Sequence, residues 1–109
     1  MPREAGLPPG TLSLLILRLL GSGPLHGYAI AQRIQLLSQE ELSVEEGSLY
    51  PALQKLLLNG LVKAAWTTSE SGREVREYRL TSAGRKQLDA ALAEYRRQNR
   101  AIGLILDNA

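Results

Sequence analysis

Hydrophobic positions along this 109-residue chain change their period several times, and each change marks an element. Within Ser43 to Val62, Leu49, Leu53, Leu56 and Leu57 recur at helical spacing and form one apolar stripe, while Ser48, Tyr50, Gln54 and Lys55 fall mostly elsewhere. Asn59-Gly60 follows the last of these leucines, and glycine ends a helix in the left-handed conformation without a Cβ penalty. Two starts are open. Ser43 with Glu46 fits a capping box, but a helix begun there would hold Pro51 well inside it. Ser48 as N-cap places Pro51 in the first turn, where its missing N–H costs little, so the preferred reading is a helix from Ser48 to Asn59. Its polar start would present unpaired backbone N–H groups and a positive dipole end suited to a phosphate.

Upstream, residues 1–10 read as a flexible, Pro-rich arm. Thr11 can cap a helix through Leu20 that is apolar nearly all round, which makes it central to the core or shared with a second subunit. Leu25, Tyr28, Ile30, Ile34 and Leu37 predict a second helix over Gly27–Leu37, with His26 at its entrance as a capping or surface residue. A polar, acidic connection over Gln39–Glu46 then makes a helix-turn-helix. Beyond Gly60 the period becomes two. Val62, Ala64 and Trp66 alternate with Lys63, Ala65 and Thr67, and Val75–Leu80 is a second strand-like run, so a β-hairpin with a flexible tip over 68–72 is expected. Trp66 is expected in the core of that hairpin. Thr81 caps a last helix from Ser82 towards Leu106, whose seam of Leu88, Leu92, Tyr95, Asn99, Ile102 and Leu106 follows a heptad a/d rhythm. Such a narrow stripe on so long a helix calls for a partner, and Asn99 within it would fix register. Three helices, a hairpin and a coiled-coil-like arm describe a mainly α (α+β) winged helix-turn-helix over 11–81 with a dimerisation helix over 82–109.

Composition narrows the chemistry. There is no cysteine and one histidine, so disulfides, thiolate catalysis and zinc ribbons are excluded, and a metal site, cofactor or enzyme is not expected. A reducing cytoplasm is compatible. The longest apolar run, Leu12–Leu20, is interrupted by Arg18 and is too short for a bilayer, so no membrane partner is expected. Net charge is +2, but residues 1–54 hold three basic and five acidic side chains while residues 55–109 hold ten and six. The basic excess therefore falls on the hairpin and the last helix.

The order of motifs resembles the PadR family of bacterial transcriptional regulators. The resemblance rests on Leu14-Leu15-Ile16-Leu17, Pro24-Leu25-His26-Gly27-Tyr28, Gly47-Ser48-Leu49-Tyr50-Pro51-Ala52-Leu53, Gly60-Leu61-Val62 and Tyr78-Arg79-Leu80-Thr81 with Gly84. It implies a homodimeric repressor of the short subfamily, with two recognition helices and two wings on a double-stranded DNA operator. First and last helices would form the dimer interface, here Leu12, Leu15, Leu19, Leu88, Leu92, Tyr95, Asn99, Ile102 and Leu106. Some members bind planar hydrophobic small molecules at its centre through an aromatic side chain. Tyr95, beside Leu92, occupies that place, with Tyr where such sensors carry Trp. DNA contacts are expected from Arg73, Arg76 and Lys55 to phosphate, and from Ser48, Tyr50 and Gln54 to base edges or flanking backbone. Glu40, Glu41, Glu45 and Glu46 are expected to face away from it. A winged-helix module that binds protein is the alternative, and salt-dependent affinity for duplex DNA separates the two.

Overall fold

The computed structural model describes residues 3–4 and 6–109, with side chains from Gly6 onward. Helix α1 spans Thr11–Leu20, α2 Gly27–Leu37, α3 Glu46–Leu58 and α4 Ser82–Asn108; the two long strands are Val62–Thr68 and Glu74–Leu80. Three two-residue strands complete the chain: β1 Arg3–Glu4, β2 Leu25–His26 and β3 Leu42–Ser43, so the hairpin strands are β4 and β5. Of the arm expected over 1–10, residues 1, 2 and 5 lie outside the described residues; Arg3 and Glu4 pair in parallel with Leu42 and Ser43.

One apolar cluster joins every helix to the wing, the β4–β5 hairpin. Ile16, Leu17 and Leu20 of α1 meet Ile30 and Ile34 of α2, Leu49, Leu53 and Leu56 of α3, then Val62, Tyr78 and Leu88. The leucine stripe read from the sequence is thus the buried face of α3. Gly60, with φ 72°, ends that helix as its position suggested. Thr81 caps α4 by accepting the Gly84 N–H at 2.9 Å, and His26 caps α2 by accepting the Ala29 N–H through Nδ1 at 3.3 Å.

Four expectations fail. Helix α3 begins at Glu46 with Glu45 as N-cap, two residues before the preferred start, so Ser48 is inside the helix and Pro51 lies in its second turn. The proline deprives the Gly47 carbonyl of its partner, but Gly47 is exposed and water is at hand, so the loss is small. Helix α1 is capped by Gly10 in the left-handed region at φ 84°, and Thr11 is its first residue. Trp66 is 70% exposed: it shares the face of Val62 and Ala64, but its register partner is Arg76, and the core ends below that rung. Tyr28 is 65% exposed because it stands two residues from Ile30, and residues two apart on a helix do not share a face; Leu37 keeps the spacing of Ile30 and Ile34 but is the last residue of α2, and it is 67% exposed.

Strand β2 escaped sequence reading because two residues have no period. It pairs Leu25 with Tyr78 and His26 with Glu77, adding a third strand in the order β2-β5-β4. That pairing pins the entrance of α2 to the wing.

Helix α4 is 27 residues long, about 40 Å at 1.5 Å per residue. Its root is tied to the body. Thr81 Oγ1 donates to the Gly60 carbonyl at 2.7 Å, Thr81 N to Leu61 O at 3.1 Å, and an Arg85 guanidinium N–H to Gly21 O at 3.2 Å. Gly84 makes this possible, since a Cβ there would lie 1.9 Å from the Leu61 carbonyl oxygen.

Candidate nucleic-acid interface

With Leu49, Leu53 and Leu56 turned inward, geometry forces Ser48, Tyr50, Gln54 and Lys55 outward, and all four are exposed. The amides at the tip of α3 differ from the expectation. The Ser48 N–H bonds to Glu45 O at 3.0 Å, so the unpaired first-turn donors belong further forward, at residues that include Glu46. Glu46 stands one helical turn before Tyr50 on α3. Tyr50 keeps its phenol above the ordinary value of 10.0, first through burial and next through the field of Glu46, so that carboxylate lies near the Tyr50 side chain. Glu40 is held elsewhere, accepting from Gln35 Nε2 at 2.6 Å within a turn where Gln39 and Glu40 both take left-handed backbone.

Tyr50 is 43% exposed and only partly outward. Its ring lies against Gly27, where a Cβ would sit 3.0 Å from the phenolic oxygen. The glycine at the head of α2 therefore lets the α3 tyrosine lean towards the wing.

On the wing, the tip is a hydrogen-bonded turn: Ser69 N donates to Arg73 O at 2.8 Å, Gly72 N to Ser69 O at 2.9 Å, and Arg73 N to Ser69 Oγ at 3.2 Å. Gly72 supplies the left-handed residue at φ 83°. Arg73 is exposed at that tip, whereas Arg76 sits within β5, opposite Trp66, its guanidinium carbon 5.8 Å from the centre of the Tyr78 ring. Between wing and helices runs a cleft of about 390 Å³ lined by His26, Gly27, Tyr28, Tyr50, Trp66, Glu74, Val75, Arg76 and Tyr78. It brings Tyr50 and Arg76 together. Sequence reading missed Tyr28 and Trp66 here, and for Tyr28 the two-residue offset from Ile30 was the available signal.

The expected self-association surface divides differently. Leu88 is 4% exposed and belongs to the core of its own chain, so it offers nothing to a partner. Leu12, Leu15, Leu19 and Leu92 are half-buried, while Tyr95, Asn99, Ile102 and Leu106 are exposed. Leu104 and Ile105, which the heptad seam left out, are 61% and 67% exposed as well. A groove of about 490 Å³ between the head of α1 and the middle of α4 is lined by Thr11, Leu14, Tyr95, Asn99 and Ile102 among others. Among the described residues no acidic, His or Cys cluster could hold a metal ion, and no helix is long and apolar enough to cross a membrane.

Comparison with known proteins agrees with this geometry. The profile of the transcriptional regulator PadR-like family matches residues 16–90. A transcriptional regulator from Clostridium thermocellum is 29% identical in sequence and superposes with a TM-score of 0.79, over 86% of this chain and 91% of its own. A PadR family transcription regulator from Clostridium difficile is 26% identical with a TM-score of 0.78, over 89% and 99%. An uncharacterised protein from Lysinibacillus sphaericus is 28% identical over 98 residues, 90% of each chain.

Proposed function

The chain belongs to the PadR-like family of transcriptional regulators, DNA-binding proteins rather than enzymes, and on that premise we propose that it works as a homodimeric repressor. The observation that carries the proposal is the apolar surface left bare on α4. Tyr95, Ile102, Leu104, Ile105 and Leu106 are 47–76% exposed on one helix, a concentration that a monomer in water has no reason to keep. A second copy covers it, through α4 and the half-buried leucines of α1. Two-fold symmetry then presents two α3 helices to successive major-groove faces of an operator, with half-sites about 34 Å apart or a multiple of that. In each half-site Ser48, Gln54 and Tyr50 lie towards base edges or the flanking backbone, and Lys55, Arg73 and Arg76 towards phosphate. Such a regulator acts in the cytoplasm, where its operator is.

Release from DNA is assigned to the same interface. The groove beside Tyr95 has an apolar wall and one ring able to stack, which suits a planar hydrophobic small molecule bound at the dimer centre. Occupancy there would shift the two α4 arms, and through the tied root of α4 it would shift the recognition helices.

Sedimentation at micromolar concentration tests the assembly: a dimer is expected, and a monomer overturns it. Replacing Arg73 and Arg76 together by Ala should lower affinity for every duplex and flatten the salt dependence by roughly one to two units, since about two phosphate contacts vanish. Gln54→Ala should weaken the operator while leaving random duplex unchanged, at about 1 to 3 kcal/mol for a lost base contact. A panel of flat aromatic compounds that leaves the melting temperature unmoved would remove the ligand from the proposal.

A further inference from the structure

The chain has one Trp, four Tyr and no Phe, and four of those five aromatic side chains, Tyr28, Tyr50, Trp66 and Tyr78, line the cleft between the recognition helix and the wing. Packing does not demand this. The core is otherwise aliphatic, Tyr78 is the aromatic residue within it, and Trp66 and Tyr28 are 70% and 65% exposed. Folding gains little from a bare indole on a hairpin, whereas a binding surface gains a large, rigid face.

We propose that this cleft is the passage for one sugar–phosphate strand of duplex DNA, and that Tyr28 and Trp66 are its walls. The inference rests on the family's DNA binding and goes beyond the residues assigned above. Its geometry is that of the duplex itself. One backbone strand separates a major groove from the adjoining minor groove, so a protein with α3 in the first and the wing tip in the second must let that strand cross between them. The aromatic cleft lies at that crossing. Its chemistry matches a nucleotide backbone: rings pack against the C–H faces of deoxyribose, while the Tyr hydroxyls and Arg76 donate to phosphate oxygens. Tyr50, like any phenol near neutral pH, carries its proton and is a donor, and burial and Glu46 push its titration further up. Glu74 also lines the cleft, at the rung nearest the tip opposite Thr68, and its charge works against the strand there.

Trp66 is the chain's sole tryptophan, so its fluorescence reports on the cleft alone. The full chain is titrated at low salt with a labelled duplex of random sequence, following label anisotropy for binding and Trp66 emission with acrylamide quenching for the cleft. On saturation the quenching constant should fall by about half or more, as a strand shields the indole. Tyr28→Ala with Trp66→Ala should weaken duplex binding by about tenfold with the salt slope unchanged, because neither side chain is a cation and no phosphate charge is left unneutralised; Arg76→Ala should instead flatten the slope by about one. Both aromatic positions are exposed, so the variants should melt as the parent does, and Trp66→Tyr should keep most of the affinity. Glu74→Gln should bind more tightly. If anisotropy shows full binding while acrylamide quenches Trp66 as before, or if the double variant binds like the parent, the strand does not pass here. If no duplex binds the unmodified protein at all, the DNA-binding reading itself has failed, which is a different and visible result.

Discussion

Helix α4 meets two opposite environments along its length. At its root Gly84 and Leu88 are buried, Thr81 is bonded to the turn after α3, and Arg85 to the end of α1. In its last turns Ile102, Leu104, Ile105 and Leu106 stand 55–76% exposed. The apolar content of the far end is the higher of the two, so hydrophobicity alone does not decide which half is buried. The root is buried because the α3–wing turn and the end of α1 converge there, and a glycine lets the backbones touch. Among the described residues the far end has no such neighbour. One helix therefore divides its labour: the root sets the direction of the arm relative to α3, and the far half offers a surface.

The sharpest way to break this division is Gly84→Ala. Its Cβ would fall 1.9 Å from the Leu61 carbonyl oxygen, a backbone atom that cannot swing aside, so the root must open. A loss of about 3 kcal/mol or more in urea unfolding is expected, beyond ordinary overpacking. A stability equal to the parent's would show that the root is not tied. Next, Leu88→Ala should cost about 2 to 5 kcal/mol at any protein concentration, since the side chain is 4% exposed within its own chain. Ile105→Ala is its control: unfolding at concentrations where only monomer is present should change by less than about 0.5 kcal/mol. Equal losses at both positions would erase the difference between the two halves.

A smaller effect is expected at Thr81→Ala, about 1 kcal/mol for a lost N-cap, read from the shift in the denaturation midpoint. Because the same hydroxyl donates to Gly60 O, Thr81→Ser should recover most of it. Smallest of all is the pair on the far half, where Arg97 Nε donates to Glu94 at 3.1 Å with both side chains exposed. The hydrogen bond from Arg97 holds the Glu94 carboxyl below its ordinary value of 4.5. Its contribution is therefore present above that pH and lost as pH falls through the lower folded value. Solvent screens the pair, so Arg97→Ala should leave the neutral-pH melting temperature unchanged within error.

Most of this architecture could be read from residue order. The α3 leucines, Gly60 after them, the alternation from Val62 and the Thr81 cap each carry a local rule, because helix and strand faces follow fixed periods and caps follow backbone hydrogen-bond need. Where several weak local rules compete, residue order misleads. At the start of α3, Ser48 is the better cap by local rules because Pro51 argues against an earlier start. An exposed Gly47 makes that earlier start inexpensive, and exposure is not a local property. Helix α1 shows the same thing, with Gly10 in left-handed backbone taking the place expected of Thr11.

Site residues divide along the same line. Ser48, Gln54 and Lys55 are placed outward by the leucine period and are outward. Leu88 obeys the heptad rhythm as well as Leu106 does, yet one is core and the other is bare, since a period states which face is apolar and not what covers it. Trp66 continues the inward face of β4 past the point where the body beneath it ends. No pattern within a strand records that point. Periodicity and capping are interactions between residues a few positions apart, so they are written along the chain. The aromatic cleft gathers Tyr28, Tyr50 and Trp66 from three elements, and the root of α4 sets Gly84 against Leu61. Such contacts depend on how the packed elements sit against one another, which is why helices and strands were determined locally while the cleft and the clamp were left to the assembled core.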